Sequence, residues 1–319
     1  MIHYSDIGLV NPVQMFKKAY EEQYAVPAYN FVNLEQLQGI LTACMNTRSP
    51  VILQVSKNVR NYVGKELVRH MVRGAVELVG SAIPVALNLD HGDSLELCKD
   101  CIEDGFSSVM IDGSALPYKQ NVELTREVVH YAGPHGVCVE GELGVLSGVE
   151  EYLNHGRSLY TDPDLAADFI SKTGVDCLAV SIGTSHGIHK LKNGPAGGDA
   201  LRFDILEEIG RKLPGFPIVL HGSSSLPREY VAMLNRSGGD LSGVSGIPEE
   251  QLRRAVKGAV CKVNVASDGW LIMTAVIRKI LTENPAVFDP RKYLGPARDE
   301  LEKIYERKNR DLFGSAGKA

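Results

Sequence analysis

Short β-rich or apolar runs recur along the chain at residues 25–31, 50–56, 84–91, 106–112, 136–142, 176–183, 216–221 and 260–266. Helix-period segments separate them, such as Leu34–Thr47 after the first run and 165–173 before the sixth. Near-continuous apolar strands alternating with amphipathic helices predict a parallel sheet buried on both faces. Eight such units predict a closed (β/α)8 barrel. The rival, an open doubly wound sheet, lacks support because no G-x-G-x-x-G follows the first run.

In this architecture active sites sit at the C-terminal mouth, so the last residues of the strands are the informative ones. They read Asn30, Ser56, Asp90 with His91, Asp112, Glu140 with Glu142, His186, His221, and Asn264 with Ser267. Nearly every strand therefore ends in a polar or metal-competent side chain. Three runs end in His-Gly: Leu89-Asp90-His91-Gly92, Thr184-Ser185-His186-Gly187 and Val219-Leu220-His221-Gly222. Glycine after the histidine lets backbone or ligand approach closely. Three imidazoles at strand tips outline a catalytic zinc site with an open position. The bland alternative, three separate hydrogen-bonded core histidines, loses ground with each repetition of the pattern. Adjacent strand residues face opposite ways, so Asp90 and His91 can share a site only where their strand is already ending.

Two mouth loops exceed what a plain connection needs. Residues 144–162, with Glu150, Glu151, Tyr152 and Asp162, read as a mobile lid, and residues 187–198 follow His186 directly. The Gly/Ser-rich segment 237–246 precedes the eighth strand, which places it away from the mouth and makes it chemically silent. All of 1–319 reads as one domain. Residues 274–319 form a C-terminal helical extension, periodic over 299–313, that either caps its own barrel or contacts another subunit.

The 319 residues are 44% hydrophobic and 23% charged, as expected of an enzyme-sized globular chain. A net charge of -5 provides no basic footprint for nucleic acid, and no apolar stretch reaches membrane-spanning length. The start, Met1-Ile2-His3-Tyr4-Ser5-Asp6, lacks the pattern of a secretory signal, so a cytoplasmic location is expected. The six cysteines are scattered, mostly in apolar runs, which predicts buried reduced thiols. Cys98-Lys99-Asp100-Cys101 lies inside a helical pattern and reads as helix packing.

Asp90-His91-Gly92, Glu140-Gly141-Glu142-Leu143-Gly144, Gly183-Thr184-Ser185-His186-Gly187, Leu220-His221-Gly222-Ser223-Ser224 and Lys262-Val263-Asn264-Val265 together resemble the class II, zinc-dependent fructose-bisphosphate aldolases. The tail from Asp289 to Arg298 is similar too, and the likeness runs in order along essentially the whole chain. The resemblance implies a TIM barrel that forms a homodimer or higher homo-oligomer and cleaves a ketose bisphosphate to dihydroxyacetone phosphate and an aldehyde. It implies that His91, His186 and His221 hold Zn²⁺, with Glu142 contacting the metal when the site is empty. Asp90 corresponds to the base for the C4 hydroxyl, and Glu150 to the acid that protonates the enediolate carbon. Gly187, Lys190, Gly222, Ser224, Asn264 and Ser267 correspond to a cradle for the C1 phosphate and an associated monovalent cation, Na⁺ or K⁺. Asn30 and Ser56 are expected to bind substrate, and Arg291 resembles a distal-phosphate ligand donated by a neighbouring subunit.

The likeness breaks after the eighth strand. Members of the family usually read Asn-x-Asp-Thr-Asp-x-Arg there, whereas this chain reads Asn264-Val265-Ala266-Ser267-Asp268-Gly269-Trp270. Ala266 replaces an aspartate that contacts substrate hydroxyls, and Trp270 replaces the arginine for the distal phosphate. Fructose 1,6-bisphosphate is the favoured substrate. Tagatose 1,6-bisphosphate, or a ketose 1-phosphate with a different C6 group, is the alternative that these two positions keep open. Of two remoter readings, a metal-dependent hydrolase barrel would open with His-x-His where this chain has Ala28-Tyr29-Asn30-Phe31. A non-catalytic binding protein would not need to keep Asp90 and three histidines.

Overall fold

A computed structural model of the chain describes residues 1–146, 148–150, 153–155, 160–188 and 201–319, with backbone only for 148–150 and 153–155. The strands are β1 (Val26–Asn30), β2 (Val51–Ser56), β3 (Val85–Gly92), β4 (Ser108–Ile111), β5 (Cys138–Leu143), β6 (Gly148–Glu150), β7 (Leu153–His155), β8 (Cys177–Val180), β9 (Ile218–Leu220) and β10 (Val260–Val265). All but β6 and β7 close into a parallel barrel in which each strand pairs with the next and β10 returns to β1. The eight expected runs are thus the eight staves of a (β/α)8 barrel.

Alternation along the strands divides the side chains between two cores. Tyr29, Phe31, Leu53, Leu87 and Val109 face the helices and join the outer core. Val26, Ala28, Ile52, Ala86, Met110 and Val219 point inward and pack against Met15, Phe16 and Ala19 of helix Val13–Glu22. That helix, which the strand pattern did not anticipate, plugs the N-terminal end of the barrel. Val10, just before it, donates its N–H to the Val85 carbonyl where β3 begins. Above the apolar layer the interior turns polar. Gln54, Asn88, Glu140 and Lys262 are completely or almost completely buried there. Apolar filling therefore occupies one end of the barrel, and the end that carries chemistry is lined with hydrogen-bonding groups.

The C-terminal extension packs onto its own barrel. Helix Arg291–Arg307 buries Ala297, Leu301 and Tyr305 against helices Leu34–Thr47 and Ser267–Glu283, and the Tyr305 ring stacks on Tyr29 at 4.0 Å. It is followed by a π-helical turn, Lys308–Leu312, in which Asn309 accepts a hydrogen bond from the Tyr29 hydroxyl at 2.8 Å.

Three expectations change. Within 144–162, β6 and β7 pair as an antiparallel hairpin, with Val149 opposite Asn154. Asp162 belongs to no lid: it is the N-cap of helix Pro163–Thr173 and accepts from the N–H groups of Asp164 and Leu165. Segment 237–246 does reach the mouth, because Ser245 donates its N–H to Ile188 (3.0 Å), two residues beyond His186. Next to it, Ile247 donates to Ser224 (3.1 Å) on the loop after β9. All six cysteines are buried and free, and Cys98 and Cys101 lie on the buried face of helix Leu95–Glu103. Among the described residues, no helix is long and apolar enough to cross a membrane.

Candidate active site

The site begins with an irregularity in β3. Asp90 follows the regular alternation and points into the barrel, where it is 4% exposed. His91 should then point outward. Instead its backbone adopts φ +48°, and the pairing of β3 with β4 shifts register between Leu89 and Gly92. A left-handed residue at a bulge re-aims the side chain. Two consecutive residues thus serve one cavity. Gly92 makes this possible, since a Cβ there would lie 2.5 Å from the Met110 carbonyl oxygen of β4. Gly222 has a comparable reason to lack a side chain: its φ is +61°, and a Cβ would sit 2.5 Å from the Ser185 carbonyl beside His186. Both glycines accommodate neighbouring backbone.

The imidazoles of His91 and His221 are fixed from behind by carboxylates. His91 Nδ1 lies 3.0 Å from Asp112 Oδ2, and His221 Nε2 lies 2.6 Å from Glu140 Oε1. Each of these nitrogens donates its proton to a carboxylate. The opposite nitrogens, His91 Nε2 and His221 Nδ1, then face each other at 2.9 Å. Two neutral rings so arranged would point lone pairs at one another, so either a proton on His91 Nε2 or a bound cation lies between them. Burial opposes charge on His91, but Asp112, Asp90 and Glu142 outweigh it and hold its pKa well above the ordinary imidazole value. Burial, opposed by Glu140, shifts His221 the other way. Burial also pushes the Glu142 carboxyl well up, and Asp112 adds to this.

The donor set fits a divalent metal. Ligand atoms of Asp90, His91 and His221 lie within 4.8 Å of one another, as do those of His91, Asp112 and Glu142. Glu142 Oε2 is buried without a hydrogen-bond partner among the described residues. Two imidazole nitrogens backed by carboxylates, with a buried carboxylate beside them, are what a borderline ion such as zinc takes. The His186 ring stands 4.9 Å from that of His91 and 6.4 Å from that of His221, centroid to centroid, so it borders this cluster without joining either tight group.

Asp90 is held on both sides. Asn30 donates to its Oδ2 at 2.7 Å and Asn264 to its Oδ1 at 3.3 Å. One cavity brings together Asn30, Asp90, His221, Gly222, Ser224, Asn264, Ala266 and Ser267. It lies at the tips of β1, β3, β9 and β10, where the N-terminus of helix Ser267–Glu283 opens. Six of the residues expected to bind substrate or phosphate, or to set specificity, therefore share one space with Asp90 and His221.

Others lie apart. Ser56 ends β2 in register with Asp90, and its hydroxyl also caps helix Lys57–Val63. Gly187, at φ +77°, directly follows His186. Trp270 is half-buried in the first turn of helix Ser267–Glu283, with its indole N–H buried and without a partner among the described residues, and does not line the cavity. Arg291 projects from the outer surface, paired with Asp289 at 2.9 Å. Lys190 and the side chain of Glu150 lie outside the described residues. Sequence reasoning named Asp112 and Glu140 only as polar strand ends and gave Lys262 no role. Lys262 Nζ lies 2.5 Å from Glu140 Oε2, so the carboxylate behind His221 is itself charge-paired.

Comparison with known proteins agrees with this geometry. Residues 10–318 match the family described as Fructose-bisphosphate aldolase class-II. The chain is 59% identical to a fructose-bisphosphate aldolase of Treponema pallidum (strain Nichols), with both chains covered in full. It is 44% identical to a fructose-bisphosphate aldolase of Giardia intestinalis, over 96% of this chain and 93% of that one. Among solved structures it is similar to the YdjI aldolase from Escherichia coli K12, with a TM-score of 0.77 and 27% identity, covering 98% and 99% of the two chains. With a mouth that gathers Asp90, His91, His186, His221 and buried carboxylates, on a barrel matched from end to end, the chain belongs to the class II fructose-bisphosphate aldolase family.

Proposed function

We propose that the enzyme reversibly cleaves fructose 1,6-bisphosphate to dihydroxyacetone phosphate and glyceraldehyde 3-phosphate. The observation that carries this reading is the single cavity shared by Asp90, His221 and the polar tips of β9 and β10. His91, His186 and His221, with Glu142, would hold the divalent metal on which the family depends, zinc by its donor chemistry. When bound, that ion supplies a Lewis acid for the negative charge left on the three-carbon fragment.

The chain's own residues do the rest. Asp90 takes the proton of the C4 hydroxyl as the C3–C4 bond breaks, and Asn30 and Asn264 hold its carboxylate in place for that transfer. Glu150 returns a proton to C3 of the enediolate. Gly222, Ser224, Asn264 and Ser267, with Gly187 and Lys190, cradle the C1 phosphate, aided by the amides that open helix Ser267–Glu283. A monovalent cation, Na⁺ or K⁺, accompanies that phosphate. Ser56 also contacts the substrate, and Arg291 reaches the distal phosphate of a neighbouring copy in a homodimer or larger assembly. The enzyme works in the cytoplasm on a small sugar phosphate, without nucleic acid or membrane partners.

Relatives at 59% and 44% identity that carry the name fructose-bisphosphate aldolase favour this substrate over the alternatives raised by Ala266 and Trp270. The test is to compare kcat/KM for fructose 1,6-bisphosphate, tagatose 1,6-bisphosphate and fructose 1-phosphate. The highest value is expected for the first. A higher value for either of the others would overturn the assignment.

A further inference from the structure

We propose that Lys308, in the π-helical turn near the C-terminus, is a positioning residue for the phosphate end of the site, acting through Asp268. The proposal rests on the reading of the loop after β9 as a phosphate cradle. Asp268 is the second residue of helix Ser267–Glu283 and is completely buried. Its Oδ1 accepts the N–H of Leu226 at 2.7 Å and its Oδ2 the N–H of Ser225 at 3.2 Å. One carboxylate thus ties the loop after β9 to the helix after β10, the two segments that supply Ser224 and Ser267 to the cavity. The loop needs such a tie, because Leu226 holds φ +46°, a left-handed conformation that is costly for a residue with a side chain.

Lys308 completes the arrangement from the far side. Its side chain is 1% exposed, its Nζ lies 2.8 Å from Asp268 Oδ2, and it donates to Ser225 Oγ at 2.7 Å. Next to it, Asn309 is anchored by Tyr29 of β1 and by Thr47 Oγ1 at 3.0 Å. The C-terminal segment is therefore seated on the barrel and reaches back under the loop. Two consequences follow. The peptide planes of Ser225 and Leu226 are fixed, which sets how Gly222, Ser223 and Ser224 meet the cavity. The ammonium also neutralises a carboxylate adjacent in sequence to Ser267, a charge that would otherwise repel an incoming phosphate dianion.

The test measures binding of inorganic phosphate to the zinc-loaded enzyme by calorimetry, alongside kcat and KM. Lys308→Met is expected to weaken phosphate binding at least 10-fold and to raise KM far more than it lowers kcat, with zinc content unchanged. Adding Asp268→Asn, which removes the stranded charge, is expected to recover part of that loss while leaving binding at least 3-fold weaker than in the parent. Ser224→Asp puts a carboxylate into the cradle itself and serves as the reference. If Ser224→Asp abolishes phosphate binding while folded Lys308→Met binds like the parent, the proposal is overturned. A further loss on adding Asp268→Asn overturns the electrostatic part. If Ser224→Asp also binds normally, the cradle reading fails instead. Should Lys308→Met not fold, the double variant takes its place, and parity with the parent then overturns the proposal.

Discussion

Glu140 Oε1 lies 2.6 Å from Nε2 of His221, on the opposite edge of the ring from the nitrogen that faces His91. The contact decides which nitrogen of His221 carries the proton and which presents its lone pair to the cavity. Asp112 does the same for His91 from the β4 side. Carboxylates of this kind fix ring orientation and raise ligand basicity, and removing one costs about 10–100-fold in metal affinity. Glu140→Gln, in which the amide can turn an N–H₂ toward the imidazole, is expected to lose zinc affinity by about that factor. Competition with a chromophoric chelator measures it. Parental affinity would mean that His221 needs no support from Glu140.

Asp90 is placed to move a proton, flanked as it is by Asn30 and Asn264. Asp90→Ala is expected to lower kcat by about 10²–10⁴, the range for a positioned general base, while zinc stays near one per chain. Metal analysis alongside turnover separates the roles. A metal-free variant would make Asp90 part of the metal site and not the base.

Burial raises the Glu140 carboxyl, but the Lys262 ammonium and the His221 hydrogen bond outweigh it and hold the pKa at about 2, below the ordinary 4.5. A carboxyl depressed in the folded state contributes stability above its ordinary pKa and loses it as pH falls through the folded value. The window here runs from about pH 4.5 down to about 2. Lys262→Met removes the first of the lowering influences, so acid unfolding of the metal-free protein is expected to begin at a higher pH. Circular dichroism during acid titration checks this. Superimposable curves for parent and variant would show that the pair contributes nothing in that range.

Gly222 combines φ +61° with a backbone neighbour at 2.5 Å from any added Cβ. Gly222→Ala is expected to cost roughly 1–3 kcal/mol in backbone strain, with further loss as His221 and the Ser185–His186 segment are forced apart. Thermal unfolding should show a lowered Tm, and kcat/KM should fall as well. An unchanged Tm would mean that the loop relaxes freely.

How much of this was legible in the sequence depends on what kind of signal each feature leaves. The barrel was legible because eight apolar runs must alternate with helices to bury both faces of a parallel sheet. Strand-end reasoning also found Asp90, His221, Asn264 and Ser267, because C-terminal tips converge in this fold. The twist at His91 left no such trace. Its φ of +48° comes from a bulge against β4, and a bulge is a relation between strands. Glu140 and Lys262 sit 122 positions apart, so their pairing appears only once β5 and β10 curve round to face across the barrel. Segment 237–246 was misplaced because its position before β10 suggested the wrong end of the barrel, whereas Ser245 reaches Ile188. Asp162 looked like a lid charge because an N-cap and a loop carboxylate are alike until the helix start is known.

A catalytic metal held by His91, His186 and His221 beside Asp90 makes cleavage depend on that ion. The most direct test of that dependence follows fructose 1,6-bisphosphate cleavage through exhaustive chelation and then stepwise addition of Zn²⁺ or Co²⁺. Activity is expected to vanish on chelation and to return in proportion to metal bound, reaching its maximum near one ion per chain. Cleavage that continues undiminished in demonstrably metal-free protein would show that these histidines hold no catalytic metal.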